Sequence, residues 1–257
     1  MSQPKLALVT GASGGIGLEF ARLLAADGYD LALVARSGDK LAAIARELES
    51  RHRVRVMTIA ADLGEPDAAE RIFAQVPGCD VLINNAGFAN SGRFEEIPEA
   101  QTRSEIFLDV LTLTELTRKY ATGMLERRAG RILNVASTAA FAPGPFGAVY
   151  YASKAYVLSF SQAIAEEFRG RGVTVTCLCP GPTETGFVAR AKLGKSLLFR
   201  LPRANAASVA RIGYRAMMRG KTVVVPGLIN NLVALSPRIA PPAMIIKISR
   251  RLIEQNP

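Results

Sequence analysis

Residues Lys5–Gly28 read KLALVTGASGGIGLEFARLLAADG, and the stretch has three parts of different kind. KLALVT is a short apolar run suited to a buried strand. GASGGIG is a glycine turn, and LEFARLLAADG spaces its apolar residues as an amphipathic helix does. The same alternation returns down the chain. DLALVAR (Asp30–Arg36) precedes KLAAIARELES, and VRVMTIAAD (Val54–Asp62) precedes PDAAERIFAQV. CDVLINNAG (Cys79–Gly87) precedes a helical stretch from about Pro98 to Arg128, and RILNVAS (Arg131–Ser137) precedes one that ends near Arg169. GVTVTCLCPG (Gly172–Gly181) and TVVVPG (Thr222–Gly227) read as the last strands. Seven apolar strands alternating with helices predict a parallel sheet covered on both faces. Right-handed crossovers make it one doubly wound α/β domain over residues 1–227.

Bulk properties narrow the classes. The chain has 257 residues, 49% apolar and 21% charged, as expected of a protein with a full core. It lacks a run of about eighteen apolar residues, so no membrane-spanning helix is expected. MSQPKLALVTG enters a strand-like run without the basic and apolar pattern of a signal peptide. Cys79, Cys177 and Cys179 lie in apolar stretches and read as reduced, buried and structural. The single histidine, His52, sits in a basic polar stretch, so no metal site is expected. The cytoplasm is the expected location.

Gly11, Gly15 and Gly17 are spaced G-x-x-x-G-x-G between a strand and a helix. Glycines there let backbone amides approach a pyrophosphate at the helix N-terminus. A plain glycine turn is the alternative. Where a dinucleotide site selective for NAD places an acid at the end of the second strand, this chain reads Ala35, Arg36, Ser37. Arg36 suits a ribose 2′-phosphate and Ser37 can donate to it, which points to NADPH. A solvated arginine opening the next helix is the alternative.

Gly144–Lys154, GPFGAVYYASK, carries the reactive groups. On a helix, Tyr150 and Lys154 lie one turn apart on one face. Ser137 stands thirteen residues before Tyr150, in NVASTAA. A free phenol has a pKa of about 10, and a nearby ammonium lowers it. Tyr150 then serves as acid–base towards a carbonyl, with Ser137 as a second hydrogen-bond donor. Tyr151, whose neighbour one turn on is Ala155, reads as a packing residue.

TGASGGIG, NNAG, Ser137, the Tyr150–Lys154 pair and PGPTET occur in this order, and the sequence resembles the short-chain dehydrogenase/reductase family. The likeness covers about residues 5–227 and is nearest the broad NADPH-linked reductases. It implies a Rossmann-type domain and the following roles. Thr10–Gly17, including Gly11, Ser13, Gly14, Gly15, Ile16 and Gly17, would bind the pyrophosphate, with Arg36 and Ser37 at the adenosine phosphate. Asp62 and Leu63 would flank the adenine. Asn85, Ala86 and Gly87 would line the ribose. Tyr150 would be the acid–base, Ser137 would position the carbonyl and Lys154 would hold the nicotinamide ribose. Pro180, Gly181 and Thr185 would meet the nicotinamide. Residues 186–205 would form a substrate lid. A homo-oligomer is implied, built partly on the helices around 98–128 and 148–169. One departure stands out: the family's usual asparagine is Asp109 here, in IFLDVLTLTELT. Its carboxylate either pairs with Lys154, weakening the pull on Tyr150, or points away and leaves only its backbone relevant.

Charge is unevenly spread. Residues 1–185 carry 19 basic and 21 acidic side chains, whereas residues 186–257 carry 13 basic and one acidic. The extension 228–257 mixes apolar clusters with Arg238, Lys247, Arg250 and Arg251, and its prolines allow two short helical pieces. It reads either as a packed lid or subunit contact with a basic rim, or as a surface for anionic lipid. No recognition motif accompanies the charge, so a nucleic-acid partner is not expected. The expected activity is hydride exchange between NADP(H) and a lipophilic carbonyl or secondary alcohol. The alternative is a non-catalytic dinucleotide-binding regulator or scaffold, which Asp109 favours.

Overall fold

The computed structural model describes residues 5–186 and 203–254. The expected lid, 186–205, therefore lies largely outside the described residues. Seven parallel strands, β1 (Leu6–Thr10), β2 (Asp30–Ala35), β3 (Val56–Ala60), β4 (Val81–Asn84), β5 (Gly130–Val135), β6 (Val173–Leu178) and β7 (Val223–Val224), form one sheet. Their order is β3-β2-β1-β4-β5-β6-β7, as the doubly wound reading expects. Chain direction reverses its spread across the sheet between β1 and β4. Register places Leu8 between Ala32 and Leu82.

The strands are buried on both sides because successive residues point to opposite faces. Ala7, Val9, Leu31 and Leu33 face one core layer, with Phe20 and Leu24 of α1 (Gly15–Ala26) and Leu41 and Leu48 of α2 (Gly38–His52). Leu8, Ala32 and Val34 face the other, against Ile72 of α3 (Ala68–Gln75) and Leu116, Tyr120 and Met124 of a longer helix. Each fully buried leucine contributes roughly 1.5–3 kcal/mol, so both layers stabilise the sheet. Cys79, Cys177 and Cys179 are buried and free, as expected.

The helical stretch expected from Pro98 to Arg128 is not uniform. It runs as α4 (Glu99–Ile106), a π turn over Phe107–Thr112, and α5 (Leu113–Glu126). The wider turn sets Leu108, Asp109 and Thr112 on the buried side, and Thr112 Oγ1 donates to Leu63 O at 2.8 Å. The last strand is also shorter than Thr222–Gly227, keeping only the two residues that pair with β6.

Helix α6 (Ala148–Glu167) packs on β5 and β6. Helix α7 (Ala206–Met218) begins at Asn205, whose side chain accepts from the amides of Ala207 at 2.9 Å and Ser208 at 3.3 Å. Two short helices follow, α8 (Leu228–Leu235) and α9 (Pro242–Ile253), separated by a 3₁₀ turn over Ser236–Arg238.

Candidate active site

At the reversal between β1 and β4 the backbone is pinned by side chains. Thr10 Oγ1 donates to Ile83 O at 3.3 Å and accepts from the amides of Asn85 at 2.9 Å and Ala86 at 3.0 Å. Asn85 Nδ2 returns bonds to Thr10 O at 2.9 Å and Gly11 O at 3.3 Å. These contacts press the glycine turn against the end of β4. Gly11 has φ +66, and a Cβ there would lie 2.7 Å from Asn85 Nδ2. A Cβ on Gly17 would lie 2.4 Å from Gly11 O. Only glycine allows this approach.

The turn opens onto a cavity of about 680 Å³, the size of a small-molecule site. Gly11, Ser13, Gly14, Gly15 and Ile16 line it. Gly17 does not; it supports the turn from below. At the end of β2 the wall is Arg36, Ser37 and Lys40, with Asp62 and Leu63 beyond β3. Arg36 stands 3.8 Å from Asp62 in an exposed ion pair. Lys40, on the first turn of α2, carries no signal in the sequence, where it looks like an ordinary helix-opening charge.

Three strand positions across the sheet, about 14 Å at the usual spacing, the wall is formed by β5 and α6. Ser137, Tyr150 and Lys154 line it together, with Asn85, Ala86, Gly87, Pro180, Gly181 and Thr185 alongside. Ser137 Oγ accepts from Ala139 N at 3.1 Å, which fixes the serine just past β5. A buried polar chain holds α6 to the sheet: Asn84 Nδ2 donates to Asn134 Oδ1 at 2.9 Å, and Asn134 Nδ2 donates to Ser161 Oγ at 3.0 Å. Phe146, Tyr151, Val233, Leu252 and Ile253 supply apolar wall. Tyr151 packs as expected, edge-on to Tyr150 with centroids 6.1 Å apart, and also faces the cavity.

The electrostatics differ from the expectation for an activated phenol. Burial pushes Tyr150 above its ordinary range, a hydrogen bond with Ser137 opposes that, and Asp109 and Glu105 add to the rise. Lys154 is 4% exposed and Asp109 0%, and their charged atoms are 3.3 Å apart. Asp109 therefore points inward, answering the question its substitution raised. Lys154 Nζ also donates to Val135 O at 3.5 Å and lies 5.5 Å from the Tyr150 ring centre. Asp109 Oδ1 further accepts from Phe88 N at 3.3 Å.

Glu105, one turn before Asp109, is a second buried acid. It accepts from Asn90 N at 3.2 Å and Asn90 Nδ2 at 2.7 Å, while its Oε1 has no hydrogen-bond partner among the described residues. Burial pushes its pKa up to about 7, and Asp109 adds to the rise. Nothing in the sequence around Glu105 distinguishes it from the exposed glutamates before it. The family model for short chain dehydrogenases matches residues 5–195.

The chain belongs to the short-chain dehydrogenase family. This family of oxidoreductases accounts for the sheet order. Over 181 residues the chain is 37% identical to the very-long-chain 3-oxoacyl-CoA reductase of Anas platyrhynchos, covering 68% of this chain and 58% of that one. It thus spans little more than half the length of that relative. A solved short-chain dehydrogenase from Sphingobium yanoikuyae, in complex with NADPH, superposes with a TM-score of 0.83 at 31% identity, over 91% of this chain and 93% of that one. The L-sorbose reductase of Gluconobacter frateurii, solved with NADPH and L-sorbose, gives a TM-score of 0.73 at 26% identity over 88% of this chain and 96% of that one. No helix among the described residues is long and apolar enough to cross a membrane.

Proposed function

We propose that this short-chain dehydrogenase is an NADP(H)-linked reductase of lipophilic carbonyl compounds, acting in reverse on the matching secondary alcohols. One observation carries the reading: Ser137, Tyr150 and Lys154 share the wall of a cavity that also holds Arg36, Ser37 and Lys40. The residues fit the dinucleotide. The glycine turn offers amides to a pyrophosphate, and two cations with a hydroxyl suit a 2′-phosphate. The NADPH in the two solved relatives agrees with this choice. The apolar wall of Phe146, Tyr151, Val233, Leu252 and Ile253 supports a lipophilic substrate.

Bound NADPH supplies the hydride. Tyr150 donates its phenolic proton to the carbonyl oxygen, and the Ser137 hydroxyl donates a hydrogen bond to the same atom as its negative charge builds. Burial raises the Tyr150 phenol above its ordinary value, so it stays in the proton-donating form that reduction uses to higher pH than an exposed phenol would. Lys154 holds the ribose with an ammonium that Asp109 fixes in place. Self-association through α4–α5 and α6 belongs to this reading, since Ile106, Leu111 and Tyr156 expose apolar surface there.

The test is NADPH consumption with a panel of bulky apolar ketones, in the native protein and in Tyr150→Phe. The variant should bind NADPH as before and lose at least about a hundredfold in turnover. The Asp109–Lys154 pair favours a second reading, a dinucleotide-binding regulator. NADPH binding without turnover of any ketone would support it over the first.

A further inference from the structure

Exposed apolar surface gathers on the two C-terminal helices. Leu228 is 86% exposed, Ile229 77%, Leu232 68% and Ile239 87%. Val233, Leu235, Met244, Ile246 and Ile248 are exposed as well. Helix α9 turns Ile245, Ser249 and Ile253 inward, one residue per turn, so Met244 and Ile248 share its outer side with Lys247 and Arg251. Helix α8 has no charged residue and buries only Ala234. A helix this apolar, left open on most of its circumference, calls for a cover that water does not provide.

Charge identifies the cover. Arg238, Lys247, Arg250 and Arg251 are exposed and alternate along the chain with these apolar residues, and the only acid from 228 to 254 is Glu254, which pairs with Arg250 at 3.1 Å. Arg250 is also held over the Phe146 ring, 5.7 Å from its centre. Arg238, Lys247 and Arg251 have no acidic partner within 4.0 Å among the described residues. The same face of a second copy would set these cations against themselves. Residues 187–202 would do likewise, since they contain Arg190, Lys192, Lys195 and Arg200 and no acid. An anionic, apolar partner satisfies both features at once.

We propose that the outer faces of α8 and α9, with Ile239 between them, seat the protein on an anionic lipid bilayer. Leu228, Ile229, Leu232 and Ile239 enter the headgroup–acyl boundary, and Arg238, Lys247 and Arg251 meet lipid phosphates. The same helices put Val233, Leu252 and Ile253 on the cavity wall, so the seated protein brings that wall to the membrane surface. The proposal rests on surface chemistry and stands whether or not the proposed reductase activity is found.

The test is flotation of the full chain with vesicles of phosphatidylcholine alone or of an equimolar mixture with phosphatidylglycerol, at low and high salt. The native protein should float with the mixed vesicles at low salt, and high salt or removal of phosphatidylglycerol should release most of it. Arg238→Glu/Lys247→Glu/Arg251→Glu should lower partitioning at least about a hundredfold. Leu228→Asn/Leu232→Asn/Ile239→Asn should weaken it as well, with the circular dichroism and sedimentation of the native protein. Failure of the native protein to float with mixed vesicles at low salt overturns the proposal. Equal flotation of the charge-reversed variant does the same. So does an apolar variant that dissociates into smaller species, which would assign the face to contact between copies.

Discussion

Asp109 Oδ2 lies 3.3 Å from Lys154 Nζ, and the pair is buried beside the Tyr150 ring. Of the two orientations the sequence left open for Asp109, the structure shows the one in which its carboxylate shares the Lys154 ammonium with the phenol. Asp109 itself raises Tyr150. Removing its charge leaves Lys154 with the carbonyl of Val135 and directs more of the ammonium's field at the phenol. Asp109→Asn should therefore shift the pH dependence of kcat/KM to lower pH, by about one unit. In reduction the fall at high pH should come earlier, because the phenol ionises sooner. An unshifted profile would mean that the carboxylate has no hold on Tyr150.

The basic end of the cavity makes a separate prediction. Arg36→Ala and Lys40→Ala should each weaken NADPH binding about tenfold, or about 1.4 kcal/mol, and leave NADH nearly unchanged. Arg36 gives up little with Asp62, since an exposed pair at 3.8 Å contributes little. Titrating both cofactors against each variant decides the matter. Parallel losses for NADPH and NADH would remove these residues from the 2′-phosphate.

Glu105 predicts a dependence of stability on pH. Its folded pKa of about 7 lies above the ordinary glutamate value of 4.5. The folded chain therefore holds the proton more tightly than the unfolded one, and stability falls as pH rises between these values. The penalty is absent below the lower value and complete above the upper. Glu105→Gln keeps an acceptor for Asn90 and cannot ionise. It should raise Tm by several degrees at pH 8 and change it little near pH 4.5, as thermal melts across that range would show. An advantage independent of pH would point to packing instead.

Gly17 allows a test in which the sign alone is informative. A Gly→Ala change inside a helix ordinarily stabilises by about 1 kcal/mol. Here the added methyl would meet Gly11 O at 2.4 Å and Asn85 Nδ2 at 2.5 Å. Gly17→Ala should destabilise in urea unfolding and weaken dinucleotide binding, although Gly17 does not line the cavity. Stabilisation would show that the turn relaxes without loss.

The parts of this protein legible in its sequence are those set by local geometry. A four-residue spacing puts Tyr150 and Lys154 on one face of any helix, and the strand–glycine–helix order of Lys5–Gly28 places the turn at a strand end. The direction of Asp109 is different, because a uniform helix over 98–128 and one broken by a π turn aim it differently, and nothing local marks the turn. Glu105 resembles Glu95, Glu96 and Glu99, its exposed neighbours along the same acidic stretch. Only its contact with Asn90, fifteen residues earlier, sets it apart. Lys40 joins the cavity through the packing of α2 beside β2, a relationship between elements that residue spacing does not express.

The hydrogen bonds between Thr10 and Asn85 have a kinetic consequence. They close the glycine turn against the end of β4 with groups of the chain itself. Backbone ordering, about 1–2 kcal/mol for each residue, is then complete at folding and does not recur when a dinucleotide arrives. The glycine-turn end of the cavity, proposed above for the pyrophosphate, should act as a rigid socket, with association limited by encounter and orientation. Differences in affinity among dinucleotides at this end should appear mainly in how slowly each one leaves.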